Sequence, residues 1–262
     1  MNPWRGKWAL VTGASAGIGV ALARELASRG ANLVLTARRQ DRLNELASEL
    51  ASRHKIQTEV CVADLSQPGG PPEIFAFTQG RKIPVQLLVN NAGFGKYGEF
   101  HKLPAERLLE MIQVNVGAVV HLTHLYLPQM VERRSGDVLI VASTAAFQAV
   151  PYITTYAATK AFDLYFAEGL AEEMRPHGVR VCALCPGSTE SEFHQVAGQR
   201  HHTRRPKETA EKVARAGLEG LAEGKSYVIS GFANWAGANT VRLVPRRMVA
   251  RIAARMFRPE TS

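Results

Sequence analysis

The sequence predicts an α/β fold in which a central, mostly seven-stranded parallel sheet lies between two layers of helices. Three observations carry this. Seven short strand-like runs, at 9–12, 32–36, 58–62, 86–90, 137–142, 180–184 and 226–230, alternate with helical patterns along 262 residues. A glycine-rich turn, Gly13 to Gly19, joins the first run to the first helical segment. No linker rich in Gly, Ser or Pro separates two cores, so residues 1–262 are expected to form a single domain with its core at about 4–231. Alternation of this kind needs right-handed crossovers and a parallel sheet covered on both faces. Ligands in such sheets bind at the carboxyl ends of the strands, where the strand order reverses.

The first element is Lys7-Trp8-Ala9-Leu10-Val11, followed by Thr12-Gly13-Ala14-Ser15-Ala16-Gly17-Ile18-Gly19 and a stretch, 20–29, with Leu22, Ala23 and Leu26 at helical spacing. Strand, glycine turn and helix in that order suit a pyrophosphate. One glycine lets the chain turn tightly, one lets backbone N–H groups approach the phosphates, and one lets helix and strand pack closely. The helix N-terminus then faces the anion. The spacing is Gly13, Gly17, Gly19 rather than the common G-x-G-x-x-G. The second run ends in Thr36-Ala37-Arg38-Arg39, where an acidic residue would bind the ribose hydroxyls of an adenosine. A guanidinium there grips a 2′-phosphate, which a carboxylate would repel. The other reading is that Arg38 and Arg39 begin a solvated helix.

The third run leads to Asp64-Leu65 and then to Pro68-Gly69-Gly70-Pro71-Pro72, too short for a linker and placed where a strand-to-helix turn is needed. The fourth ends at Asn90-Asn91-Ala92-Gly93, whose last two residues are small where backbone must approach backbone or ligand. Val138-Leu139-Ile140-Val141-Ala142 is followed by Ser143, and then by Tyr156, the only tyrosine in the chain with a lysine, Lys160, four residues on. On a helix the two share one face. A phenol holds its proton until about pH 10, and a cation held close lowers that value, which makes a tyrosine usable as a general acid or base. The sixth run contains Cys182 and Cys185. Three positions apart on a strand, their side chains point to opposite faces with Cα atoms about 10 Å apart, too far for a disulfide. Core packing is their expected role. Pro186-Gly187-Ser188-Thr189-Glu190-Ser191 follows.

Taken together, Thr12-Gly13-x-x-x-Gly17-x-Gly19, Asn90-Asn91-Ala92-Gly93, Asn115, Ser143, Tyr156-x-x-x-Lys160 and Pro186-Gly187 resemble, in order and spacing, the short-chain dehydrogenase/reductase family, in its branch of single-domain soluble enzymes. The resemblance runs from about Trp4 to about Ser230 and implies a Rossmann-type three-layer sandwich. It implies that Tyr156 gives a proton to a carbonyl, or takes one from an alcohol, while the nicotinamide exchanges hydride with the same carbon. Lys160 would lower the tyrosine pKa and bind the nicotinamide ribose. Ser143 would hydrogen-bond the substrate oxygen and stabilise its developing charge. Asn115 would hold a water that links Lys160 to solvent. By the same resemblance the cofactor lies on Gly13, Ser15, Gly17, Ile18 and Gly19, with Arg38 on its 2′-phosphate and Asp64 and Leu65 at its adenine. Asn91, Ala92 and Gly93 pass beneath the ribose, and Tyr156, Lys160, Pro186, Gly187 and Thr189 surround the nicotinamide. NADP(H) is therefore preferred, with NAD(H) as the alternative. Two departures stand out: Ala16 occupies a place where members that prefer NADP(H) often carry a second basic residue, and Ser191 one where threonine is usual.

The formal net charge is +9, and more than half of it lies in the last 21 residues, which hold six arginines and one glutamate. Drawn as a helix, Val244, Met248, Val249, Ile252 and Met256 cluster on one side of this extension (232–262), with Arg247, Arg251, Arg255 and Arg258 on another. Such a segment lies on an anionic membrane surface or caps a subunit interface. No recognised reading motif accompanies the charge, which argues against nucleic acid. The family's substrate lid corresponds to 188–210, here bearing Arg200, His201, His202, Arg204, Arg205 and Lys207. That charge either favours acidic substrates such as acyl thioesters on phosphate-bearing carriers or is a solvated flap. Neither His201-His202 nor His121 with His124 has a carboxylate or cysteine cluster beside it, so no metal site is expected.

No apolar run reaches the length of a membrane span, and the glycine turn begins within a dozen or so residues of Met1, leaving no room for a secretory signal. With three cysteines and no disulfide framework, a cytoplasmic protein is expected, and the resemblance implies a homodimer or homotetramer. The expected activity is reduction of a ketone or aldehyde, a 3-oxoacyl thioester or larger lipophilic carbonyl among the candidates. The alternative is a catalytically silent, NADP(H)-sensing binding protein.

Overall fold

A computed structural model of the chain describes residues 3–190, 192–193, 197–198 and 207–259. Every strand-type run forms a strand: β1 (Trp8–Thr12), β2 (Asn32–Ala37), β3 (Thr58–Val62), β4 (Val85–Asn90), β5 (Gly136–Val141), β6 (Val179–Cys185) and β7 (Tyr227–Ile229). All pairings are parallel, in the order β3-β2-β1-β4-β5-β6-β7. The chain winds outward from β1 to β3 and crosses back to set β4 against β1, so the order reverses at the middle of the sheet. The helices of eight or more residues among the described residues are α1 (Gly17–Ser28), α2 (Gln40–His54), α3 (Gly70–Gly80), α4 (Ala105–Ile112), α5 (Ala118–Glu132), α6 (Thr154–Met174), α7 (Ala210–Ala222), α8 (Phe232–Thr240) and α9 (Arg246–Phe257).

Period-two alternation along each buried strand sends side chains to two separate cores. On one face Leu22 and Leu26 of α1, Leu43 and Leu50 of α2, and Val213 and Leu218 of α7 pack against Val11, Leu33, Leu139 and Leu184. On the other, Ile74 of α3, Leu122 and Tyr126 of α5, and Leu164 and Ala167 of α6 pack against Leu10, Val34, Leu88 and Ile140. Cys182 belongs to the first core and Cys185 to the second, both unbridged, as strand geometry predicts.

The two ends of the sheet differ in character. At the amino end, the buried Asp137 carboxylate accepts from Trp4 Nε1 at 2.8 Å and from Arg180 Nε and Nη2 at 2.7 and 3.0 Å. This brace ties the N-terminal segment and β6 to β5. The carboxyl end is open.

Two expectations are corrected. The stretch Ala105–Glu132, in which α4 and α5 join through a π-turn over Gln113–Gly117, is 28 residues long and apolar enough by length and composition to cross a membrane. Gln113, Asn115, His121 and His124 interrupt its apolar run without adding charge, so the sequence reading passed over it. Its Val119, Leu122, Tyr126 and Met130 are buried in the second core. The basic extension does form a helix, α9, but its apolar residues divide: Val249 and Ala253 turn inward, while Met248, Ile252 and Met256 stay about half exposed.

Candidate active site

The loops that leave β1 to β6 surround one cleft of about 490 Å³ at the carboxyl end of the sheet, across the point where strand order reverses. Gly13, Ser15, Gly17 and Ile18 line one end, Ser143, Tyr156 and Lys160 the other, with Asn91, Ala92 and Gly93 between them. Arg38, Asp64, Leu65, Pro186, Gly187 and Thr189 also line it, so the chain brings all but two of the predicted residues to one surface.

Gly19 is the first of the two. A Cβ there would come within 2.3 Å of Gly13 O and 2.6 Å of Asn91 Nδ2, so its glycine serves the packing of α1 on the turn and not the cleft surface. Gly13 and Gly17 have φ of +66° and +52°, a left-handed backbone that side chains rarely tolerate. A Cβ on Gly13 would also meet Ala92 Cα at 2.9 Å. Thr12 Oγ1 accepts from both Asn91 N and Ala92 N at 2.9 Å, and Asn91 Nδ2 donates to Thr12 O at 2.8 Å, welding the β1 turn to the β4 turn. With α1 starting at Gly17, its unpaired N–H groups stand at this end of the cleft.

Asn115 is the second. It is fully buried in the π-turn, where its Nδ2 donates to Phe94 O and Thr159 Oγ1, each at 3.0 Å, and its Oδ1 accepts from Phe94 N at 3.1 Å. The side chain therefore braces the Phe94 loop against α6.

At the glycine end, Arg38 extends toward solvent, 3.8 Å from Glu110. Its neighbour is more tightly engaged. Arg39 donates from Nε to Ser15 Oγ and from Nη2 to Ser15 O, both at 3.1 Å, and from Nη1 to Glu192 at 2.9 Å, while Arg42 holds the other Glu192 oxygen at 2.7 Å. Hydrogen bonds from Arg42 and Arg39 hold the Glu192 carboxyl below the usual range. Asp64 Oδ1 accepts from Ser66 N at 2.9 Å, a turn-forming bond, and Gly70 allows α3 to approach, since a Cβ would fall 2.3 Å from Asp64 O.

At the other end, Ser143 caps a short 3-10 turn through its Oγ, which accepts from Ala145 N at 3.1 Å. Tyr156 lies in the first turn of α6 and Lys160 one turn on, its Nζ 5.9 Å from the Tyr156 ring centre. That Nζ donates to Val141 O at 2.7 Å and to Asp163 Oδ2 at 2.9 Å. A Cβ on Gly93 would press on Asn115 Oδ1 at 3.2 Å and touch the ammonium at an ordinary contact distance of 3.5 Å. The Phe193 ring packs 5.0 Å from that of Tyr156, centre to centre. Behind the Pro186 loop, Gly187 admits Asn234 of α8, which donates to Glu208 and Ser230 O. Thr189 is buried, its hydroxyl donating to Gly187 O at 3.1 Å. Ser191 and the lid residues Arg200, His201, His202, Arg204 and Arg205 lie outside the described residues.

The model of the short chain dehydrogenase family matches residues 7–201. The chain belongs to that family. It is 39% identical over 190 residues to a very-long-chain 3-oxoacyl-CoA reductase of Bos taurus, a match covering 71% of this chain and 60% of that one. It is 36% identical over 184 residues to an inactive hydroxysteroid dehydrogenase-like protein 1 of Homo sapiens, covering 69% and 55%. The match therefore spans less than two thirds of the length of these curated relatives. A short-chain dehydrogenase from Sphingobium yanoikuyae, solved in complex with NADPH, superposes with a TM-score of 0.82 at 30% identity over 90% of this chain and 94% of that one.

Within this short-chain dehydrogenase, the electrostatics of the α6 end depart from the sequence-based expectation. The Tyr156 phenol is held above its ordinary pKa: burial pushes it up, and the Lys160 charge and a hydrogen bond with Ser143 pull it back only in part. Asp163 adds to the upward push of burial, as a smaller effect. This residue, which the sequence reading missed, is wholly buried and shares the ammonium. For Lys160, burial acts downward, but Asp163 and Tyr156 together outweigh it and the ammonium form is favoured. The carboxyl of Asp163 moves the other way, raised to about 6 by burial, with Lys160 opposing. The asymmetry has a structural cause: the ammonium has two acceptors, whereas Asp163 Oδ1 has no hydrogen-bond partner among the described residues. The only sequence signal for Asp163 is its i+3 spacing from Lys160, a spacing shared by ordinary solvated helix pairs.

Proposed function

We propose that this chain is an NADP(H)-dependent oxidoreductase that moves a hydride between the nicotinamide and a carbonyl or secondary-alcohol carbon, with Tyr156 as the acid or base. One observation carries the reading: Ser143, Tyr156 and Lys160 meet at one end of a single cleft whose other end is a left-handed glycine turn flanked by Arg38 and Arg39. The cleft fits a dinucleotide phosphate. Gly13 holds the turn in a left-handed backbone packed closely on Ala92, α1 begins at Gly17 with its free N–H groups beside the turn, and no acidic residue stands at the end of β2 to repel a 2′-phosphate. The NADPH-bound relative from Sphingobium yanoikuyae supports the same choice.

When bound, the nicotinamide supplies or accepts the hydride. The chain's own groups handle the proton and the developing charge. Ser143 Oγ, fixed by its bond from Ala145 N, orients the substrate oxygen toward the Tyr156 hydroxyl. The phenol gives its proton in reduction and takes one in oxidation. Lys160, held by Val141 O and Asp163, keeps a positive charge beside the phenol and one N–H free for the ribose. Asn115 acts through Phe94 and Thr159, keeping the loop after β4 in register with α6.

A lipophilic carbonyl suits the mouth, where Phe94, Ile153, Phe193 and Phe257 line the wall near Tyr156. Similarity to the bovine 3-oxoacyl-CoA reductase supports a 3-oxoacyl thioester as the first candidate. The silent NADP(H)-sensing alternative is supported by similarity to a human relative named as inactive. Further parts of the reading are a cytoplasmic homo-oligomer, supported by exposed Leu109, Ile112, Phe162 and Tyr165 on α4 and α6, and contact of α9 with a membrane surface. NADPH consumption with a panel of ketones, aldehydes and 3-oxoacyl thioesters tests the activity. Turnover of any of them discards the silent alternative, and none with all discards the reductase.

A further inference from the structure

Asp163 stands behind Lys160 on α6, wholly buried among Leu164, Ala167 and other members of the second core. One of its oxygens accepts from Lys160 Nζ at 2.9 Å and the other has no hydrogen-bond partner among the described residues. A buried carboxylate left half satisfied is costly, and an apolar residue would fill such a place more cheaply. The group it holds is the ammonium that faces Tyr156.

We propose that Asp163 is a positioning residue for the proton-transfer pair: it clamps the Lys160 ammonium against the end of β5 and sets how strongly that ammonium acidifies Tyr156. The proposal rests on the reading of Tyr156 as acid or base. Ionised, Asp163 offsets part of the Lys160 charge felt by the phenol and so raises its pKa; protonated, it leaves the ammonium to act in full. The titratable groups around it are Lys160 and Tyr156 on its own helix and Cys185 at the end of β6, whose thiol burial keeps in the neutral form. Burial holds the Asp163 carboxyl at about 6, so its ionisation falls within the range in which such a protein works. Lys160 thus has a restraint that tunes its partner with pH.

The test reads the phenol itself and requires no substrate. Tyrosinate absorbance is titrated in the wild-type protein and in Asp163→Asn and Asp163→Glu, each against the same chain with Tyr156→Phe, so that the difference reports Tyr156 alone. Asp163→Asn is expected to lower the Tyr156 pKa by about one unit or more, and Asp163→Glu to stay nearer the wild type. An unchanged or raised phenol pKa in Asp163→Asn overturns the proposal. A purely structural role would change thermal stability and leave this value alone. Should Asp163→Asn not fold, carbon-13 carboxyl titration of the wild-type protein decides: one aspartate titrating well above pH 5 is expected, and its absence overturns the proposal. Failure of every carbonyl compound to turn over would remove the proposed reaction while leaving the phenol shift standing.

Discussion

Glu192 lies 2.9 Å from Arg39 Nη1, so a carboxylate from the segment after β6 rests on the guanidinium that also grips the glycine turn through Ser15. An acid held there stands where a bound phosphate would seek the same donors. Glu192→Gln is therefore expected to tighten NADPH about 3- to 10-fold with little change for NADH, a modest effect because the pair is partly exposed. Fluorescence titration with both nucleotides measures it, and weaker NADPH binding in the variant would show that the carboxylate helps to form the site.

The two adjacent arginines should separate in the same assay. Arg38→Ala, which leaves the glycine turn untouched, is expected to weaken NADPH about 10- to 100-fold and NADH hardly at all. Arg39→Ala also removes the bonds to Ser15 and should weaken both. Equal losses of the two nucleotides in Arg38→Ala would remove its 2′-phosphate role.

Replacing Tyr156 by Phe deletes one hydroxyl and keeps the ring that packs on Phe193. Carbonyl reduction is expected to fall by about 10²- to 10⁴-fold, with NADPH affinity nearly intact. Steady-state rates on any substrate found by the panel, beside a nucleotide titration, check this; unchanged turnover would end the assignment.

Stability should carry the signature of Asp163. Its carboxyl titrates at about 6 in the fold, above the unfolded value of about 4, so its contribution is full below about pH 4 and is lost as pH rises through about 6. Compared with Asp163→Asn, the wild type is expected to lose roughly 3 kcal/mol between about pH 4 and 7. Urea melts of both proteins across that range give the difference. A flat difference, or one that moves in the wild type's favour as pH rises, contradicts the assigned ionisation.

On α9, exposed Met248, Ile252 and Met256 run beside Arg247, Arg251 and Arg255. The full chain is expected to sediment with vesicles rich in anionic phospholipid, and a chain with serine at the three apolar positions to remain largely in the supernatant. Sedimentation with neutral vesicles alone, or equal sedimentation of both proteins, would dismiss the lipid contact.

Much of the fold is legible because strands buried on both faces must be apolar over most of their length, as 138–142 and 181–184 are. Gly13 and Gly17 are legible because their turn needs a left-handed backbone, which favours glycine. Three features escape a linear reading. The choice between Arg38 and Arg39 depends on which guanidinium reaches Ser15, and no periodicity encodes that. Asp163 looks like a solvated helix residue until the sheet covers it. The division of α9 into an inward Val249 edge and an outward Met248 edge is set by where the helix lands on the body of the chain, not by its own spacing.

The joint between Thr12 and Asn91 has a mechanical consequence. With one hydroxyl gathering two backbone amides from the neighbouring turn, the floor under the nucleotide is a single rigid plate. Ligand entry and exit must then be accommodated by the opposite wall, where Tyr97 meets the carbonyl of Phe257 and the end of the last helix closes over the mouth.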